Sequence, residues 1–239
     1  MGRNKNKIIL DLCGGTGAWS RPYKDAGYDV RNITSPEYDV RNINIFEGWL
    51  YDGKDPQNRI CKIEDVYGIL AAPPCTMFSD ARTHAKTPRN LKIGMDIVKA
   101  CLDIIYEIQF KIKSDQQKYS PLKFWALENP WYGRTKWFLG YPTYIFNPWE
   151  FGDMYKKKTA LWGYFNPPIK TVILAPDKMK PSPVDLQHPM KKFDMLLMPE
   201  LKELKSRSML EDWKKTGLRQ TLRSITPKGF AEAFFKANQ

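Results

Sequence analysis

Residues 66–80 (Val-Tyr-Gly-Ile-Leu-Ala-Ala-Pro-Pro-Cys-Thr-Met-Phe-Ser-Asp) constrain this chain most. A short apolar run of this kind fills a strand buried on both faces, as in parallel α/β sheets. Two prolines then end it, because neither can donate to a ladder and each ring fixes φ. The residue presented at the break is Cys75, and open α/β sheets bind their ligands at the carboxyl ends of strands. Cys75 is therefore a candidate nucleophile; the alternative is a small hydrophobe packed beside a turn.

Residues 7–12 (Lys-Ile-Ile-Leu-Asp-Leu) read as a first buried strand, followed by Cys13-Gly-Gly-Thr-Gly-Ala-Trp19 and a helix through Ala26. Such a strand, glycine turn and helix gather backbone N–H groups around one spot, and the glycines let a ligand approach the main chain. The spacing departs from the G-x-G-x-x-G of nicotinamide enzymes, which argues against hydride transfer. A second strand is expected over 28–34, after the helix stop at Gly27. Glu37 is a loose candidate for a ribose hydroxyl. Asp39 is able to accept from an adenine amino group or, equally, to cap the following turn. Residues 42–64 offer turn signals at Asp52-Gly53 and Asp55-Pro56 and no legible chemistry.

Residues 122–127 (Leu-Lys-Phe-Trp-Ala-Leu) form another apolar run, ended by Glu128-Asn129-Pro130. An acid at the end of a buried strand is costly unless something uses it, so Glu128 is a second candidate for chemistry. Between them, residues 79–90 form a polar loop with Arg82, His84, Lys86 and Arg89, either a lid or a solvated connector. Residues 91–112 carry apolar positions at helical period and read as a packing helix.

Strands are expected over 145–151 and 159–165, joined by a connection with Lys156, Lys157 and Lys158, which suits phosphate contact or a solubilising edge. From residue 166 to 216, scattered prolines and lysines indicate an irregular insertion with a short helix near 199–215. Thr226-Pro227 then reads as an N-cap and first helical position, opening a final helix that docks through Phe230, Ala231, Phe234 and Phe235. The expected division is a catalytic domain over 1–165, the insertion over 166–216, and a closing segment over 217–239.

At 239 residues and 42% hydrophobic, the chain can bury a full core. No run approaches the ~18 apolar residues of a membrane span, and residues 8–12 are too short for a signal-peptide core. Cysteines 13, 61, 75 and 101 lack Cys-x-x-Cys spacing and there are two histidines, which argues against zinc and for reduced thiols in a cytoplasm. Lys+Arg outnumber Asp+Glu 21 to 18 over residues 1–154 and 17 to 8 over 155–239, so the second part is the basic one. That asymmetry suits a polyanion, or simply a lysine-rich solvated surface.

Three motifs now stand in order: Asp11-Leu-Cys-Gly-Gly-Thr-Gly, Pro73-Pro-Cys-Thr-Met-Phe-Ser79 and Glu128-Asn-Pro. Together they resemble those of the DNA cytosine-5 methyltransferase family, most of all its small phage-encoded members. The resemblance covers residues 1–165, and residues 220–235 are similar to the family's closing helical motif. It implies an α/β fold with a Rossmann-like, mostly parallel S-adenosylmethionine-dependent methyltransferase sheet and a small irregular C-terminal subdomain. It also implies a flipped-out cytosine in double-stranded DNA, methylated at carbon 5 through a Cys75 adduct, with Glu128 relieving charge at N3 and Asn129 holding the carboxylate or the adjacent loop.

By position, the cofactor contacts would be Asp11, Cys13, Gly14, Gly15, Thr16, Gly17 and Trp19, with Thr34, Asp39 and Val40 toward the adenine, Pro74 near the sulfonium, and Ser224. Ser79, Arg82, Lys156, Lys157 and Lys158 would meet the nucleic acid. The expected protein is a monomer in the host cytoplasm, without metal or membrane.

Four positions depart from the family pattern. Thr76 stands where it has Gln, Pro130 where it has Val, Lys157-Lys158-Thr159 where it has an arginine-rich motif, and Ser224, beside Arg223, where it has Asn. The last substitution admits an acidic variant of the methyl donor, and the short 166–216 segment suits a short or relaxed target. The same chemistry on tRNA, and a catalytically silent nucleic-acid-binding relative, are the alternatives.

Overall fold

The structure is a computed structural model that describes residues 4–53, 55–80, 82, 85–110, 122–153, 155–174 and 224–239. Most of the 166–216 segment, the helix expected near 199–215, and both histidines lie outside the described residues.

The chain begins with β1 (Ile8–Leu12), buried at every position, then α1 (Arg21–Asp25) and β2 (Asp29–Ile33). Next come β3 (Ile43–Phe46), β4 (Trp49–Asp52) and β5 (Asp55–Lys62), then β6 (Val66–Ala71) and α2 (Leu91–Phe110). β7 (Phe124–Pro130), α3 (Lys136–Leu139), β8 (Tyr144–Phe146), β9 (Thr159–Tyr164) and α4 (Lys228–Ala237) complete the order. The architecture is α/β. A six-stranded sheet has the order β2-β1-β6-β7-β9-β8, with β2, β1, β6 and β7 parallel and β9 antiparallel to both its neighbours. A separate three-stranded antiparallel sheet comprises β3, β4 and β5.

Side chains alternate across the large sheet and feed two cores. Ile8, Leu10, Leu12, Ile69 and Leu127 face one side, where α2 contributes Val98, Cys101, Ile104, Ile105 and Ile108. Ile9, Leu70, Phe124 and Ala126 face the other, where Trp19, Tyr23, Phe230 and Phe234 pack. Phe230 stacks on Phe146 with ring centroids 3.9 Å apart, and Phe234 meets Trp19 edge-on at 5.3 Å. The docking face expected of α4 is thus present. Among the described residues, no helix is long and apolar enough to cross a membrane.

Four boundaries differ from expectation. Residues 43–62 form the small sheet, whose hairpin turns at Glu47 (φ 46) and Gly48 (φ 76), two positive values that match the twist of the flanking strands. Asp55-Pro56 is not a turn but the start of β5, an edge strand that tolerates proline's missing donor. β8 stops at Phe146 because Pro148 opens a 3₁₀ turn held by reciprocal bonds between Asn147 and Glu150. β7 runs on through Glu128-Asn129-Pro130, because antiparallel β9 continues the ladder as far as Pro130 opposite Thr159.

α4 also begins one residue late, at Lys228, and its cap comes from elsewhere: the Gly229 N–H donates to the Asp153 carboxylate at 3.2 Å. Burial raises the Asp153 pKa from 3.8 to about 6, partly opposed by that N–H. Because the folded value is the higher one, the protonated form favours folding. Asp153 therefore loses its stabilising contribution as pH rises from its ordinary value through about 6. Asp153→Asn is expected to flatten the dependence of melting temperature on pH across that window. Phe230→Ala is expected to cost about 3–5 kcal/mol in urea unfolding, as for other buried aromatics truncated in a core.

Candidate active site

The carboxyl ends of β1, β6 and β7 lie side by side, and each delivers one of the sequence motifs. At β1 the chain turns sharply: Cys13 (φ 57), Gly15 (φ 55) and Gly17 (φ 72) all adopt left-handed backbone. The turn is tied to β2 by Cys13 N–H to Ile33 O at 2.8 Å, Gly15 N–H to Thr34 Oγ1 at 3.2 Å, and Asn32 Nδ2 to Gly15 O at 3.1 Å. Asp11 is fully buried and accepts from Ser20 Oγ at 2.5 Å. Gly14 passes so close that a Cβ there would lie 2.2 Å from the Asp11 carboxyl carbon. Position 14 therefore excludes any side chain.

The expected cofactor residues divide accordingly. Gly14, Gly15, Thr16 and Gly17 form the turn, and Thr34 fastens it. A hydrogen bond between the Cys101 thiol on α2 and the Cys13 sulfur, with burial, pushes Cys101 well above the usual thiol range. Trp19 is 1% exposed and packs on Phe230 and Phe234, so its ring belongs to the core. Val40 is likewise buried among apolar neighbours. Asp39 caps the turn at Val40–Asn42 through the Arg41 N–H and grips the Arg41 guanidinium, the local alternative weighed from sequence. Pro74 and Ser224 are exposed. A shallow hollow of about 40 Å³, open to solvent, lies between the turn, α1 and β2, lined by Thr16, Gly17, Ser20, Arg21, Lys24 and Asn32 among others. Neither Cys75 nor Glu128 lines it; what gathers those two is the geometry of the strand ends.

At β6 the ladder stops with Ala71, and Cys75–Met77 winds into a single 3₁₀ turn. The carbonyl of Cys75 accepts from the N–H groups of Phe78 (2.9 Å) and Ser79 (2.8 Å), fixing the main chain beneath the thiol. Cys75 is half-buried, and none of the four cysteines is in a disulfide. Arg89 reaches back to this turn, donating to Met77 O at 2.9 Å and Ser79 O at 3.0 Å. Arg82 instead bonds within its own loop, to Thr87 and Pro88, and its Nε is buried with no acceptor among the described residues.

Ala71 on β6 pairs with Leu127 on β7, so Glu128 and Asn129 emerge beside the Pro-Pro-Cys turn. Asn129 is fully buried. Its Nδ2 donates to Pro73 O at 2.9 Å, and its Oδ1 accepts from Thr135 Oγ1 at 2.8 Å. Asn129 thus holds the loop, the second of its two expected roles, and acts by positioning. The Glu128 side chain is 17% exposed and lies 3.9 Å from Lys157 Nζ. Burial pushes its carboxyl above the usual carboxylate range, and the Lys157 ammonium pulls it partly back. Lys158 lies over the Trp131 and Tyr132 rings, and Lys156 is exposed.

The turn bearing a thiol, an acid biased toward its protonated form and a cation therefore share one edge of the sheet. Such a set can add sulfur to an electron-poor ring and return a proton to it. Sequence reasoning missed the positioning roles of Arg89 and Thr135, since neither stands in a motif. Among the described residues no group of three or more His, Cys, Asp or Glu could hold a metal ion. A scan against protein-family models finds no match for this chain, and a search of curated proteins finds none.

Asn129→Ala is expected to lower stability by about 1–3 kcal/mol, since Pro73 O and the Thr135 hydroxyl lose their partner. It should also speed alkylation of Cys75 by iodoacetamide. An unchanged alkylation rate would mean that the Asn129 bond does not hold the turn.

Proposed function

We propose that the chain is a DNA cytosine-5 methyltransferase, its six-stranded sheet a Rossmann-like methyltransferase sheet. In this reading Cys75 is the nucleophile, Glu128 the proton donor, and a flipped-out cytosine in duplex DNA the substrate. The observation that carries the reading is the bond from Asn129 Nδ2 to Pro73 O at 2.9 Å, which joins the Cys75 turn to the strand that bears Glu128. A cytosine inside a duplex exposes neither face of carbon 6, so the thiol reaches it only after the base is extruded.

S-adenosylmethionine, or an acidic variant of it, would supply an electrophilic methyl group when bound. The residues at the end of β1 fit such a group. The main chain at Gly15 is open, with nothing within 4 Å of where a Cβ would stand. Thr16, Gly17 and Asn32 line the hollow beside it. Gly14 to Gly17 would hold it, with the turn kept in shape by Asp11, Ser20 and Thr34.

Cys75 as thiolate forms a bond to carbon 6 of the ring. The electron pair displaced from the 5,6 double bond moves toward N3, where Glu128 supplies a proton. The ring is then electron-rich at carbon 5, the atom to be methylated. Loss of the carbon 5 proton to water afterwards expels the thiolate and restores the double bond, and the N3 proton returns to the Glu128 carboxylate. Lys157, 3.9 Å from Glu128, balances the carboxylate left behind. Burial, which raises the Glu128 pKa against the pull of Lys157, makes its carboxyl a better proton donor than a solvated one.

A duplex containing 5-fluorocytosine, incubated with S-adenosylmethionine, is expected to trap the protein as a covalent adduct seen on a denaturing gel, because fluorine blocks the final elimination. The adduct should vanish in Cys75→Ser. Glu128→Gln is expected to slow methyl transfer by a factor of about 10²–10⁴. Absence of an adduct on every duplex and tRNA tried would sink the reading.

A further inference from the structure

Residues 131–141 take no part in this chemistry. They read Trp-Tyr-Gly-Arg-Thr-Lys-Trp-Phe-Leu-Gly-Tyr, five aromatic and two basic side chains without an acid. Tyr132 is 63%, Trp137 65% and Tyr141 81% exposed. Large rings are ordinarily the most rewarding side chains to bury, so several left open within eleven residues mark an interaction surface.

The cations are interleaved with the rings. Lys136 Nζ lies 4.2 Å and Lys158 Nζ 5.4 Å from the centre of the Trp131 ring, and Lys158 is 5.9 Å from that of Tyr132. The Arg134 guanidinium lies 5.1 Å from the Trp137 ring. Trp131, flanked by two lysines and meeting Tyr141 edge-on at 5.7 Å, braces the set.

The segment is also fastened to the candidate site. The Arg134 N–H donates to Phe78 O at 3.1 Å, Thr135 bonds Asn129, and Phe138 meets the buried Phe78 edge-on at 6.3 Å. A ligand on these rings would therefore be held at a fixed offset from Cys75.

The chemistry of the surface selects its occupant. An apolar protein face would have to desolvate Arg134, Lys136 and Lys158 without partners. An acidic peptide would satisfy the cations and leave the flat rings unused. A paired duplex hides its base faces inside the stack. Unpaired nucleotides offer a flat face and a phosphate at each step, matching both features at once.

We propose that residues 131–141 are a docking platform for a single-stranded stretch of nucleic acid. Unpaired bases stack on Tyr132, Trp137 and Tyr141, and Arg134, Lys136 and Lys158 hold the phosphates. The proposal rests on the reading of this chain as one that acts on nucleic acid, and it is independent of the chemistry at Cys75. It makes duplex DNA that is opened beside the target base better held than a fully closed duplex.

The test is fluorescence anisotropy with the full chain, a labelled oligothymidine and a blunt duplex of the same length, over a range of salt. The parent is expected to bind the oligothymidine more tightly than the duplex. Trp137→Ala combined with Tyr132→Ala should weaken single-strand binding at least about tenfold while changing duplex affinity less than twofold. Lys136→Gln should reduce the salt dependence of single-strand binding, as expected for one lost phosphate contact. All three side chains are on the surface, and matching melting curves for the variants exclude misfolding.

Equal single-strand affinity in parent and aromatic variant would overturn the proposal, as would a parent that prefers the duplex. A dimer in sedimentation that Trp137→Ala dissolves would overturn it in favour of self-association. Loss of strand binding in the aromatic variant, together with failure of the fluorocytosine trap, would uphold the platform and remove the methyl-transfer reading. The reverse pair of results would keep methyl transfer and remove the platform.

Discussion

A single buried amide governs the arrangement at the carboxyl edge of the sheet. Asn129 has no exposed surface, and both ends of its side chain are engaged, one with Pro73 O and the other with the Thr135 hydroxyl. Backbone ladders align β6 with β7 only as far as Ala71 and Leu127. Beyond that point two prolines leave the Cys75 loop without ladder donors, and side chains must hold it. Asn129 does so from the adjacent strand and Arg89 from the loop just before α2, so the thiol-bearing turn is gripped from two directions. Because an unpaired amide in this setting is expensive, the bond also resists loosening of the loop.

The antiparallel strand β9 has a matching effect. Running against β7, it extends the ladder past Glu128 to Pro130 and brings Lys157 to the mouth of the same edge. A parallel strand would begin at the opposite end of the sheet and would carry its preceding loop there. The acid and its counter-cation are thus adjacent because of strand direction. At the other motif, Cys13 packs against the core that holds Cys101, while the main chain at Gly15 stays open.

Much of this was legible in the sequence wherever a single segment carried the signal. The apolar runs of β1, β6 and β7 announced buried parallel strands, period 3.6 announced α2, and the spacing of Phe230, Ala231 and Phe234 announced the docking face of α4. The small sheet was not legible: its strands are short, and Glu47-Gly48 is a weak hairpin signal beside Asn-Gly. Contacts that depend on distant partners were not legible. Trp19 packs into the aromatic core, Asp39 pairs with Arg41, and α4 takes its cap from Asp153. Nothing local to residue 129 could have revealed that its amide reaches Pro73.

The aromatic seam beneath the sheet has a consequence for biogenesis. Trp19, from early in the chain, is covered by Phe230 and Phe234 and Tyr23 by Phe235, and the Tyr23 hydroxyl donates to Asn238 O across 215 positions of sequence. On the ribosome, the sheet can therefore assemble long before that lid of rings exists. Until α4 emerges, one whole face of the nascent domain remains greasy and uncovered, a natural substrate for chaperones that shield apolar surface during translation.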